Sequence, residues 1–329
     1  MEAPLPRPVV GIDVSKDSFA VCYQVGQQFK HLDVPNTKAG FRQLVKQCGA
    51  QCLFVLEATG TYYLRLAYYL HEQGGHVAVL NPLVIKRFIQ MHLGKGKSDR
   101  KDAQWLLRYG QQQAVKVWQP DEPVLVECRQ LEQVSEQLLK QQNMVGNALE
   151  ALEQQPIISA VARKQLQHTL KALTRQRQAV EAELLALLEQ RFAHEMTLLC
   201  SIPGIGRKTA SMLLLFAGGF TRLQNYRQLI ALAGLSPREY TSGTSIRGKT
   251  RLTKVGGGLI RAKLFLCSFS AKKSNGACRA LYDRLVAKGK NGKVALIAVC
   301  NKLLKQAFAI VKSGQPYQAE FTSKLVCNP

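Results

Sequence analysis

The apolar positions change period along the chain and divide it into three regions. Over residues 1–120, β-branched runs alternate with helical spacing. Val9 to Val21 reads as an apolar strand broken by Asp13, and a second strand is expected near Gln28 to Val34. Thr37 to Gln47 sets Phe41, Leu44 and Val45 at helical spacing. Cys52 to Leu56 is a short buried strand ending at Glu57. Tyr62 to Glu72 is helical, and His76 to Leu80 is another strand, closed by Asn81-Pro82. Helices over Leu83 to Leu93 and about Ser98 to Gln112 complete the region. A hairpin followed by βα units predicts an α/β layer fold with a mixed sheet.

Residues 121–195 carry a different rhythm. Leu131, Val134, Leu138, Gln141, Val145, Ala148 and Leu152 follow 3-4 spacing, and Pro156 ends the run. Leu166, Leu170, Leu173, Arg177, Val180, Leu184 and Leu187 resume it. Each helix keeps its seam for about three heptads with one polar interruption, which predicts a coiled-coil hairpin. The seam can close within the chain, against a second subunit, or both. Residues 196–329 predict a mainly helical domain. Helices fall near 207–216, 226–233, 259–273, 276–288 and 293–313, around a polar, glycine-rich stretch from Ser236 to Gly258.

Charge sharpens this division. The 329 residues hold 45 Lys and Arg against 22 Asp and Glu, net +23. Residues 1–120 carry +7, residues 121–195 carry −3, and residues 196–329 carry +19. A basic excess of this size favours a polyanionic partner, nucleic acid first. Apolar residues make up 46% of the chain, which supports packed cores and excludes bulk disorder. The nine cysteines form no CxxC pair and read as free thiols of a reducing cytoplasm. Met1 to Arg7 lacks the apolar stretch of a signal peptide. No run approaches the ~18 apolar residues of a membrane span, so no membrane partner is expected.

Four carboxylates stand out. Asp13 lies inside an apolar strand, where a charge is costly unless it is paired, hydrogen-bonded or bound to metal. Glu57 ends another apolar run. Asp99 and Asp102 are three apart on one predicted helix and share a face. Two strand carboxylates and one helix face can converge on one or two Mg²⁺ ions. Taken singly, Asp13 also fits a turn or edge residue, and Asp99 and Asp102 also fit an exposed helix N-terminus.

Their order and context form a pattern. Gly11-Ile12-Asp13, Glu57-Ala58-Thr59-Gly60-Thr61-Tyr62, Asn81-Pro82 and Lys97-Ser98-Asp99-Arg100-Lys101-Asp102-Ala103 are followed by Ile202-Pro203-Gly204-Ile205-Gly206 and Ser242-Gly243-Thr244-Ser245. Over nearly its whole length the chain resembles the DEDD transposases of the IS-one-ten / IS-eleven-eleven insertion-sequence family, relatives of the Piv DNA invertase. The resemblance implies an RNase H-like (RuvC-like) domain over 1–120, the coiled-coil hairpin over 121–195 and a C-terminal transposase domain over 196–329. It also implies that Asp13, Glu57, Asp99 and Asp102 are the four acidic, Mg²⁺-binding residues.

From composition alone, the segment from Arg238 to Arg251 is a Ser/Thr/Gly loop. The resemblance makes Ser242 the catalytic nucleophile, with Ser245 the lesser candidate. A serine hydroxyl that attacks a phosphodiester holds the cut strand covalently and needs cations for the phosphoryl oxygens. Arg247, Lys249, Arg251 and Lys254 are close enough in sequence to serve. The Ile202 to Gly206 run looks like the turn of a helix-hairpin-helix, where the backbone of Gly204 and Gly206 would bind phosphate; an ordinary helix–helix turn is the alternative. The tyrosine pairs Tyr62/Tyr63 and Tyr68/Tyr69 fit core packing better than base stacking.

The resemblance thus implies an enzyme that cuts and rejoins donor and target DNA through a phosphoserine. The resemblance further implies guidance by a structured noncoding RNA and a homo-oligomer, dimer or tetramer, with a site shared between subunits. The rivals are a hydrolytic RuvC-like nuclease, which would not need Ser242, and a non-catalytic nucleic-acid scaffold, which would not need the carboxylates.

Overall fold

A computed structural model describes residues 7–96, 98–238, 241–242, 246–248, 251–253 and 256–320, with only the backbone described at 241–242 and 246–247. It divides into two compact units, residues 1–120 and 121–329.

The first unit is built on strands β1 (Val9–Val14), β2 (Ser18–Val25), β3 (Gln28–Pro35), β4 (Leu53–Glu57) and β5 (His76–Leu80). The sheet order is β3-β2-β1-β4-β5. The β1–β2–β3 meander is antiparallel, and β4 and β5 add in parallel. The single strand expected over Val9 to Val21 is two strands. The polar triplet Ser15-Lys16-Asp17 forms a turn, closed by Ser15 Oγ donating to the Ser18 carbonyl at 2.7 Å. The apolar character on both sides of the turn belongs to neighbouring strands that share the same core.

Helices α1 (Lys38–Cys48), α2 (Leu64–Glu72), α3 (Pro82–Met91) and α4 (Asp99–Gln112) complete the unit. Thr37, Asn81 and Ser98 cap α1, α3 and α4 by accepting from backbone N–H groups in the first turn. The two faces of β1 serve different layers. Val10, Ile12 and Val14 pack with Phe41, Leu44 and Leu66 of α1 and α2. Gly11 faces α4, and a Cβ there would lie 2.0 Å from the Ala103 carbonyl oxygen. Tyr69 packs on Phe41 and Tyr68 meets Trp118 edge-on, which places both among packing residues.

The second unit is mostly helical. Helices α5 (Pro123–Glu153) and α6 (Ala160–Cys200) form an antiparallel hairpin within the chain. Gln142 Nε2 donates to Thr174 Oγ1 at 2.8 Å, and Arg177 Nη1 donates to Gln142 Oε1 at 2.7 Å. These bonds form a polar layer that fixes the register of the seam. Nearer the hairpin's root, Glu181 accepts from Arg177 and from Lys208 at 2.7 Å. Leu125, Cys128, Leu184 and Leu188 at that root join the core of α7 (Arg207–Ala217), α8 (Tyr226–Leu232), α9 (Gly258–Ser274), α10 (Gly276–Ala287) and α11 (Gly292–Ser313).

The apolar residues of α11 are interrupted by Asn301, Lys302, Lys305 and Gln306 and form no continuous run of membrane-spanning length. By length and a mean hydropathy of 1.7, α11 could still span a bilayer. Its Leu296, Val299, Leu303 and Leu304 are buried in the helical core, which accounts for that composition.

Glu181 supplies a pH test of the hairpin. Burial alone would raise its carboxyl, but hydrogen bonds and charge from Lys208 and Arg177 outweigh burial and hold it below the ordinary range. A lowered folded pKa stabilises above the unfolded pKa and is lost as pH falls through the folded one. Glu181→Gln should therefore cost about 1–2 kcal/mol at neutral pH, with the difference from wild type vanishing in acid. Glu132 is displaced the other way, raised by burial against the charge of Lys263. Its charged form costs stability at neutral pH, so Glu132→Gln should raise the melting temperature there. Circular dichroism melts across the acidic range check both signs.

Candidate active site and nucleic-acid surface

The direction of α4 over the sheet turns its acidic first turn toward the end of β1 that carries Asp13. Gly110 of α4 lies over Val9 and Val55, while Ala103 and Leu107 lie over Gly11. The helix thus runs antiparallel to β1, and its first turn, with Asp99 and Asp102, approaches the end of the strand where Asp13 sits. Asp13 and Glu57 each follow the registered parallel pair Ile12–Leu56 by one residue. They occupy the same level on adjacent strands, on the face that α4 covers.

Asp13 and Asp99 line one cleft of about 450 Å³ with Ser15, Ser18, Asp33 and Arg100. Asp13, Glu57 and Asp102 are half-buried and Asp99 is exposed. Glu57 does not line that cleft; its Oε1 accepts from Thr59 Oγ1 at 2.8 Å. Among the described residues, no three carboxylates, histidines or cysteines are grouped closely enough to enclose a metal ion. The donor chemistry still suits Mg²⁺, which commonly uses one or two protein carboxylates and completes its shell with water and substrate phosphate.

Asp33 and Arg100 join this cleft although no local sequence pattern marks them as site residues. Asp13 pairs across the sheet with Ala20, and Ala20 with Asp33, so a methyl group separates two carboxylates in one row. Arg100 reaches Asp33 Oδ2 through Nη2 at 2.5 Å and Nε at 3.2 Å. The available signal was a carboxylate at the same β3 parity as Phe29, which packs on the α4 side.

Ser242 lies in the second unit. The short strands β6 (Pro237–Arg238) and β9 (Arg251–Leu252) pair, and within them β7 (Thr241–Ser242) pairs with β8 (Ile246–Arg247). The described parts of the expected loop thus pair as short antiparallel strands, with Ser242 opposite Ile246. Arg251 is exposed. Ser245, Lys249 and Lys254, like Lys97 and Tyr240, lie outside the described residues. Three thiols are poor rivals as nucleophiles: desolvation pushes the buried Cys300 and the half-buried Cys48 up to about 12, and the buried Cys22 up to about 11.

The two glycines of the Ile202 to Gly206 turn do different things. Gly204 has φ +101°, and a Cβ there would meet Ala271 of α9 at 2.7 Å, so it allows close packing of the turn on that helix. Gly206 is the exposed N-cap of α7. The cations that follow it are matched by carboxylates, Arg207 by Glu189 and Lys208 by Glu181.

A mixed five-stranded sheet of this order, with a helix delivering acidic residues to its edge, defines an RNase H-like DEDD domain, here followed by a mostly helical region. A DEDD transposase profile matches residues 10–156, and one described as "Transposase IS116/IS110/IS902 family" matches residues 196–283. The chain belongs to the IS110 family of DEDD transposases, enzymes of DNA strand transfer. It is 27% identical to a pilin gene-inverting protein of Moraxella bovis, over 95% of this chain and 98% of that one. The protein of the same description from Moraxella lacunata is 26% identical over the same shares. An uncharacterized 43.6 kDa protein of insertion element IS110 from Streptomyces coelicolor is 31% identical, over 54% of this chain and 45% of that one.

Proposed function

We propose that this transposase cuts and rejoins DNA through a phosphoserine on Ser242, with Asp13, Glu57, Asp99 and Asp102 holding Mg²⁺ at the reacting phosphate. The observation that carries the reading is the cleft at the strand edge, where Asp13 from β1 and Asp99 from α4 share one opening. Bound Mg²⁺ would supply charge neutralisation for the phosphoryl oxygens. Ser242 Oγ attacks phosphorus, the bond to the leaving deoxyribose oxygen breaks, and that oxygen takes up a proton as the serine loses one. The new ester keeps the energy of the phosphodiester. A deoxyribose hydroxyl of another end reverses the step, joins the strands and frees the serine. Arg247, Lys249, Arg251 and Lys254 flank the serine with cations that can offset the phosphoryl charge.

The remaining readings belong to the same proposal. A structured noncoding RNA from the element pairs with donor and target DNA, and the protein, acting in the cytoplasm, holds backbone and shape. The carboxylates and the serine come from different copies of a homo-oligomer, and the α5–α6 hairpin, besides closing on itself, supplies pairing surface. Gly204 and Gly206 border a phosphate contact at the α7 N-terminus, which Gly206 leaves open.

The test combines purified protein, Mg²⁺, RNA transcribed from the element's flanking noncoding region and labelled DNA spanning the element junction. After denaturation, label should remain on the protein, and a chelator should abolish it. Cleaved ends with no label on protein would establish the hydrolytic reading instead.

Arg100 provides a prediction about the cleft. Its guanidinium is parked on Asp33 beside Asp13 and Asp99, and an incoming phosphate competes with Asp33 for the same donors. Arg100→Ala should lower strand transfer about 10- to 100-fold, and Arg100→Lys should recover only part, because the planar fork is lost. Single-turnover rates at saturating DNA check this.

A further inference from the structure

Positive charge in the second unit is compensated unevenly. Near the hairpin, cations meet carboxylates: Arg191 pairs with Glu122, Arg207 with Glu189, and Lys263 with Glu136 at 2.7 Å. Beyond the Lys263 pair, helices α9 to α11 have little acid of their own: residues 258–313 hold twelve Lys and Arg, Lys263 among them, against a single acidic residue, Asp283.

Within that region α10 and α11 border a cleft of about 570 Å³. Its walls include three alanines, Ala277, Ala280 and Ala298, and its cations are Arg284 from α10 and Lys302 and Lys305 from α11. Among the described residues, none of these three cations forms an ion pair. Lys305 is instead held over the Tyr226 ring, 5.1 Å from its centroid, and Asn301 donates to the Leu235 carbonyl at 3.3 Å. Three like charges around one cleft repel one another, a cost that an anionic occupant removes. The alanines leave the centre open, and Lys302 and Lys305 share one helix face as i,i+3 neighbours, with Cβ atoms about 5–6 Å apart.

We infer that the α10–α11 cleft is a DNA-backbone site, separate in sequence and unit from the carboxylate cleft. Arg284, Lys302 and Lys305 contact successive phosphates of a duplex and position it without reading bases. The inference rests on the strand-transfer reading only in taking DNA as the polyanion. The matched transposase profile stops at residue 283, before all three cations.

The test measures binding of a labelled 30-bp duplex of unrelated sequence across a salt series. It omits Mg²⁺ and RNA and requires no cutting, so it reads the cleft whether or not the phosphoserine chemistry holds. Arg284→Gln/Lys302→Gln/Lys305→Gln should weaken binding about 10- to 100-fold near 0.15 M salt and flatten the log–log salt slope by about 2–3. A charge-matched control, Lys140→Gln/Lys164→Gln/Lys171→Gln on the exposed hairpin surface, should change both far less. Circular dichroism melts confirm folding, and Lys302→Gln/Lys305→Gln serves if the triple variant is unstable. Equal losses in both sets would overturn the site, because any three charges would then do. In a parallel titration with a labelled RNA hairpin of matched length, a loss confined to that probe, with duplex DNA binding intact, would overturn the DNA assignment.

Discussion

Ser242→Ala should leave no covalent protein–DNA adduct and lower strand transfer by at least about 10³-fold. The substitution removes one oxygen from a short strand whose pairing to β8 runs through the backbone. Folding and duplex affinity should therefore stay near wild type, and the loss belongs to chemistry. Two controls give the result its meaning. Ser245→Ala should retain the adduct, because Ser242 is the assigned nucleophile. Ser242→Cys should form a weaker adduct, since a thiol attacks phosphorus poorly but preserves the position of the attacking atom. If Ser242→Ala still cuts and leaves free ends, water is the nucleophile and the carboxylate cleft is acting as a nuclease site. The assay thereby separates two chemistries that the same DEDD domain could support.

Much of the fold is legible in the sequence, for local reasons. Thr37, Asn81-Pro82 and Ser98 announce three helix starts because capping is read from adjacent residues. The hairpin is legible because its seam repeats for many turns and a proline ends the first run. The turn between β1 and β2 is harder to see. Three polar residues interrupt two apolar stretches of like composition, and only pairing separates them. Non-local facts were hidden more deeply. Gly204 reads equally as a phosphate-binding turn or a packing residue until Ala271, 67 positions later, is found against it. Asp33 gains its place only from the register that sets it one small residue from Asp13. Asp13, Glu57, Asp99 and Asp102 were visible because charge within apolar strands, or repeated on one helix face, demands an explanation. Which of them share a cleft depends on the angle and direction of α4, which no local pattern specifies.

That dependence makes Gly11 and Asp13 an informative pair. Gly11→Ala should cost at least about 3 kcal/mol, because the new methyl group would fall 2.0 Å from the Ala103 carbonyl oxygen and 2.4 Å from the Leu107 amide nitrogen. Backbone, unlike a flexible side-chain tip, cannot step aside cheaply, so α4 must lift from β1. Lifting α4 also carries Asp99 and Asp102 away from Asp13, and strand transfer should fall with stability. Asp13→Asn changes no volume at the helix contact and should leave the melting temperature within a few degrees of wild type. Strand transfer should nevertheless fall by at least about 10²-fold, because a neutral amide is a poor ligand for a hard cation and cannot replace the lost charge. Melting and single-turnover strand transfer, measured on both variants, separate the scaffold from the chemistry. An active Asp13→Asn enzyme would sink the carboxylate assignment, whereas an active and stable Gly11→Ala enzyme would show that α4 need not lie on β1 for the acidic residues to meet.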